Sequence, residues 1–144
     1  MKPIEFLEFA EKIFTDGPSG ARSATSRSYY SMFHTAREIL DENSVLPVDR
    51  NHGSVMHVLS RSGIESAMDA HSLLSDLQGD RVKADYRIDN TAFDDSQVAE
   101  SNIASAREIN KCLETFRQLC KDDSEVRKKL EDGYKFLKEK NIIK

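Results

Sequence analysis

"VAESNIASAREINKCLETFRQLC", residues Val98 to Cys120, decides the fold class. Val98, Ile103, Ala106, Ile109, Leu113, Phe116 and Cys120 recur at helical intervals, which places them along one face of a helix from about Ser96 to Lys121. A half-buried strand would alternate apolar and polar residues instead, and no stretch of the chain carries that period.

The same spacing recurs on both sides. Upstream, "PIEFLEFAEKIFT" opens on a proline, whose missing N–H is harmless at the start of a helix. Ile4, Leu7, Ala10 and Phe14 then give a buried stripe over about Pro3 to Thr15. "TDGPSG" breaks the chain, and a second helix is expected from about Ala21 to Asn43. Within it, "SRSYYSMFHTAREIL" (Ser26 to Leu40) sets Tyr29, Phe33, Ala36 and Leu40 on a core face. Tyr30 and His34 fall on an adjacent strip behind Arg27. Pro47 bars helix continuation, and a third helical region runs from Asn51 to Leu77 with an interruption near "SRSG". "QGDRVKADYRIDNTAFDD" reads as loops flanking a short turn, because Gly and Asp are weak helix formers. Downstream, Ser124 is a candidate N-cap for a final helix carrying Val126, Leu130, Tyr134 and Leu137.

Long helices with mostly short links define an all-α protein, expected here as an up-and-down bundle of four to five helices. Residues 1–120 make the bundle, and residues 121–144 add an amphipathic helix packed on it or extending the same domain.

Composition narrows the function classes. At 144 residues the chain can bury a core without disulfide or metal staples. Its 38% hydrophobic and 32% charged residues exclude a disordered tail. No apolar run reaches the roughly 18 residues of a membrane span, and the N-terminus interleaves Glu and Lys where a signal peptide would be apolar. The expectation is a cytoplasmic protein with no membrane partner. Cys112 and Cys120 sit about 12 Å apart along one helix, too far for a mutual disulfide, and they form no zinc-binding pattern. The net charge of −4 argues against a broad duplex-binding face. From Lys121 onward, 8 Lys or Arg face 6 Asp or Glu, so the surplus of basic charge is small.

No phosphate-cradling Gly loop, nucleophile elbow or zinc-protease motif is present. What remains is a set of Arg and His pairs. Arg27 and His34 are seven apart on one helix, Arg50 and His57 share that spacing, and Arg81 precedes Asp85 and Tyr86. Arg beside His suits phosphodiester chemistry, because a guanidinium holds phosphate bidentately while imidazole moves protons near neutral pH. For Arg81 the simpler reading is an i, i+4 ion pair with Asp85 on a helical turn. His71 reads as an ordinary helix residue.

"SRSYYSMFHTAREIL" resembles the S-R-x-Y-Y-x-M-F-H-x-A helix of one branch of the HEPN superfamily of small helical domains. "NHGSVM" (with His52) is similar to that branch's His-Lys-Gly segment, "RVKADY" to its Arg-x-x-Ala-Asp-Tyr element, and "VAESNIASAREINKCLETF" to its closing helix. The match covers about Ser19 to Phe116. The resemblance implies a homodimer, and in many members a metal-independent endoribonuclease of toxin–antitoxin or phage-defence systems that needs no cofactor. Other members lack the active motif and bind a partner protein such as a nucleotidyltransferase or toxin.

That motif is an Arg, usually a polar residue next, and then a His four to six positions further on. Arg81 occupies the place of the motif Arg, but Val82 stands at the usual polar position and Asp85 and Tyr86 stand near where the His would be. A tyrosine, with an ordinary pKa of about 10, is a poor base at neutral pH. Arg50 to His57 fits the pattern but lies early in the chain. Two readings follow. One is an RNA-directed protein, either a ribonuclease or a degenerate relative still binding RNA or nucleotide. Its catalytic candidates are Arg81, Asp85, Tyr86 and His34, and its binding candidates are Arg27, Tyr30, His52, Arg50 and His57. The other is a non-catalytic homodimeric module that holds a partner protein.

Overall fold

Apolar residues at helical spacing bury themselves only if the helices carrying them meet. The computed structural model, which describes all 144 residues, realises this as six α-helices and no strand. They are α1 (Pro3–Ile13), α2 (Gly17–Glu42), α3 (His52–Arg61), α4 (Glu65–Tyr86), α5 (Ser96–Asp122) and α6 (Ser124–Glu139), with a 3₁₀ turn at Thr91–Asp94. The all-α class holds, with one helix more than the four or five expected. No helix is long and apolar enough to cross a membrane.

The chain divides into two units, residues 1–34 with 73–109 and residues 35–72 with 110–144. In the first unit the core comes from Leu7 and Ala10 of α1, Tyr29 and Met32 of α2, Leu74 and Leu77 of α4, and Ile103 and Ile109 of α5. Asn102 donates to the Thr25 hydroxyl at 3.1 Å, so two buried polar side chains satisfy each other across α5 and α2. Gly20 is needed where α2 leaves the first turn, because a Cβ there would collide with the Ile13 carbonyl oxygen.

In the second unit Ile39 and Leu40 of α2, Leu59 of α3, Leu113 and Phe116 of α5, and Leu130 of α6 are fully buried. Each such side chain contributes about 1.5–3 kcal/mol relative to an exposed one. Asn51 caps α3, its Oδ1 accepting from the Ser54 N–H at 2.9 Å. Arg117 bridges Glu38 and Glu42 of α2 at 3.1 and 3.3 Å and also pairs with Glu114 on its own helix.

Three sequence expectations change. "QGDRVKADY" is helical: α4 continues through Gly79 and Asp80 to Tyr86, and only the residues beyond it form a link and a short turn. The burial of Leu74, Leu77 and Ala84 outweighs the propensity cost of one glycine, about 1 kcal/mol. α2 begins at Gly17 rather than Ala21, because Pro18 fits the first turn of a helix and ends nothing there. The cap of α6 is Asp123, whose carboxylate accepts from the Glu125 and Val126 N–H groups at 2.9 and 3.4 Å. An Asp at the cap accepts from first-turn donors as a capping Ser would, and its carboxylate also complements the helix dipole.

Candidate functional site

The aromatic helix and the end of α4 meet within the first unit. On α2, Arg22, Ser26, Tyr29 and Phe33 follow one another at three- to four-residue steps, with Tyr30 next to Tyr29. On α4, Gln78, Arg81 and Asp85 do the same.

Arg81 is the centre of the contact. Its side chain is only 12% exposed, and its guanidinium lies 5.2 Å from the ring of Tyr29, 5.4 Å from that of Tyr30 and 6.0 Å from that of Tyr86. Nε and Nη2 donate to the Gln78 side-chain oxygen at 3.3 and 3.2 Å, and Nη1 reaches Asp85 at 3.5 Å. The i, i+4 ion pair expected from sequence is therefore present. Asp85 also accepts from the Ser26 hydroxyl at 3.2 Å, which ties the carboxylate to α2. Nη1 and Nη2 each keep an N–H that neither Gln78 nor Asp85 takes.

The aromatic residues divide by exposure. Tyr29 is 1% exposed and stacks on Phe33, with ring centroids 5.7 Å apart. Burial pushes its phenol well above the ordinary tyrosine range, the Arg81 charge pulling it back in part and Tyr30 pushing it further up. Tyr86, at the end of α4, is 71% exposed. Tyr30 is half-buried and lies against both Arg81 and His34. His34 packs on Phe6 at 5.4 Å, Phe33 at 5.8 Å and Tyr30 at 6.0 Å, so its imidazole sits in an aromatic setting. Arg27 lies over the Phe6 ring at 5.7 Å.

Of the residues singled out from sequence, Tyr30, Arg81, Asp85 and Tyr86 come together here, with His34 and Arg27 joined to them through aromatic rings. The three α4 residues come from a helix rather than from the expected loop. Arg50, His52 and His57 belong to the second unit: Arg50 is exposed in the link before α3, His52 is the first residue of α3, and His57 is exposed on its surface.

One organising residue escaped the sequence reading. Arg22 donates to the backbone carbonyls of Ala84 at 3.0 Å, Arg87 at 3.2 Å, Ile88 at 3.2 Å and Asn90 at 2.6 Å, and its Nη1 approaches that of Lys83 at 3.5 Å. Its Nε pairs with Asp94 at 2.6 Å. A single guanidinium thus takes the Ala84 carbonyl in the last turn of α4 and fixes the 87–90 link. No spacing rule signals such a role, because its partners are main-chain oxygens more than 60 residues away.

The arrangement offers an anchored cation with N–H groups to spare, flanked by one half-buried and one exposed aromatic ring. That combination suits a phosphate beside a stacked base. No family model, curated protein or solved structure matches the chain.

Proposed function

We propose that this protein is an HEPN-like, RNA-directed protein of the degenerate kind, which holds single-stranded RNA or a nucleotide at the Arg81 cluster without cutting it. The observation that carries the reading is the setting of Arg81 against Tyr30 and the exposed Tyr86, and the resemblance puts Asp85 and Tyr86 near where a ribonuclease of this type would carry its imidazole. His34, packed among Phe6, Phe33 and Tyr30, adds a further ring beside the cluster. Metal-independent cleavage remains the contrasting outcome. Purified protein mixed with total RNA in EDTA is expected to retain RNA on a filter and leave its length unchanged. Arg81→Ala is expected to lose the retention. Cleavage abolished by Arg81→Ala identifies a ribonuclease, and an absence of both activities overturns the RNA-directed reading.

A second reading, a non-catalytic homodimeric module that holds a nucleotidyltransferase or toxin, has one observation in its favour. Tyr86 at the end of α4 and Ile88 in the link after it expose 71% and 79% of their surface, two large side chains open to a partner. Light scattering that shows only a monomer, with no co-purifying protein, counts against it.

A further inference from the structure

The outer side of the α4 end carries a second polar concavity. Gly79, Val82 and Lys83 of α4 face Arg87, Asp89 and Asn90 of the following link across an open groove of about 570 Å³. That volume is within the range of small-ligand sites.

Three features mark the groove as built for an anion. Lys83 and Arg87 are both exposed, and neither side chain makes a hydrogen bond or an ion pair within the chain. Burial raises the pKa of the half-buried Asp80, and the charge of Lys83 lowers it in part. The end of a helix ordinarily repels anions through its free carbonyls, yet here the Arg22 guanidinium sits on that end, taking the Ala84 carbonyl of the last turn and those of Arg87, Ile88 and Asn90 in the link. Gly79 completes the trough. A Cβ at that position would meet no atom within 4 Å, so no neighbouring group requires a glycine, and its absence leaves the floor open. Val82 beside it supplies an apolar side chain to the lining. Asp89 can accept from sugar hydroxyls or a base amino group.

We infer that this groove binds a phosphate monoester of nucleotide size, its phosphate on Lys83 and Arg87 and its base over Gly79 and Val82. The ligand is either a free nucleoside monophosphate or the 5′-phosphate end of an RNA. The site is distinct from the Arg81 cluster and does not depend on the function proposed for it.

Calorimetric titration with AMP, and with a short oligonucleotide with and without a 5′-phosphate, tests the assignment. Saturable binding below about 1 mM is expected for at least one phosphorylated probe, with the unphosphorylated oligonucleotide weaker. AMP binding assigns free nucleotide, and binding of the phosphorylated oligonucleotide alone assigns RNA ends. The Lys83→Gln/Arg87→Gln double variant is expected to weaken binding at least about tenfold. Gly79→Leu is expected to abolish it while raising the melting temperature, since Leu favours a helix over Gly and meets no neighbour at its Cβ. Absence of binding by both phosphorylated probes, or undiminished binding in either variant, overturns the inference. Retention of internal RNA should survive Gly79→Leu and fail in Arg81→Ala, which separates failure of this site from failure of the Arg81 cluster.

Discussion

Arg22 and Asp94 form a 2.6 Å ion pair between α2 and the 3₁₀ turn, and the arginine is the more buried partner at 13% exposure. The pair is one arm of a clamp whose other arms are the carbonyls of Ala84 in α4 and of Arg87, Ile88 and Asn90 in the link. Arg22→Ala leaves those carbonyls with water alone and removes the charge beside Asp94. The expected loss is about 2–4 kcal/mol of unfolding free energy, since each hydrogen bond to a charged group is worth about 1.5–3 kcal/mol and exposure returns part of it. Asp94→Asn keeps the carbonyl contacts and should cost about 1 kcal/mol or less. Urea unfolding checks both, and equal losses would show that the carbonyl arms carry nothing.

Asp85 tunes Arg81 as well as holding it. Its carboxylate lies 3.5 Å from the guanidinium, where it also faces any phosphate that Arg81 receives. Asp85→Asn removes that repulsion while keeping an acceptor for Ser26. RNA retention is expected to strengthen about three- to tenfold at low salt, in line with roughly 1 kcal/mol for one charge at this range, and the gain should shrink as salt rises. Filter binding at two ionic strengths measures it. A loss as large as that of Arg81→Ala would mean that Asp85 acts only by positioning.

The helices that bury one clean stripe were legible in the sequence. Ile103, Ala106, Ile109, Leu113, Phe116 and Cys120 all proved buried, as did Tyr29, Phe33, Ala36 and Leu40 of α2. Their period survives because each faces one apolar surface. The end of α4 was not legible, because Gly79, Asp80 and Asp85 lower local helix propensity while the compensation comes from tertiary burial of Leu74, Leu77 and Ala84. The candidate site was legible in its residue types, since Arg81, Asp85 and Tyr30 do meet. Its control by Arg22 was hidden, because a guanidinium that binds backbone carbonyls leaves no pattern in the residues it binds.

Gly133 and Gly79 make a pair of opposite controls. A Cβ on Gly133 of α6 would lie 2.7 Å from the carbonyl oxygen of Arg61 at the end of α3, so the two helices must part to admit it. Gly133→Ala should therefore destabilise by about 1–3 kcal/mol despite the better helix former. Gly79→Ala meets nothing within 4 Å and should stabilise by about 0.5–1 kcal/mol. Denaturant midpoints of the two variants should move in opposite directions. Stabilisation by Gly133→Ala would disprove the close approach of α3 and α6.

Cys120 gives the alkaline limb of stability a specific origin. Its thiol is buried at the end of α5, and burial pushes its pKa up from 9.0 to about 11, with the charge of Arg127 pulling it back in part. The folded protein thus holds the proton more tightly than the unfolded chain. Below about pH 9 both states are protonated and the advantage of the neutral buried thiol is complete. As pH rises toward 11 the unfolded chain ionises first, so stability falls. Cys120→Ala removes this contribution to the slope at some cost in packing, and Tyr29→Phe separates the tyrosine contribution that sets in at higher pH. The urea midpoint of the parent protein should decline between pH 9 and 10, and that of Cys120→Ala should decline less. Parallel profiles for the two proteins would place the alkaline sensitivity elsewhere.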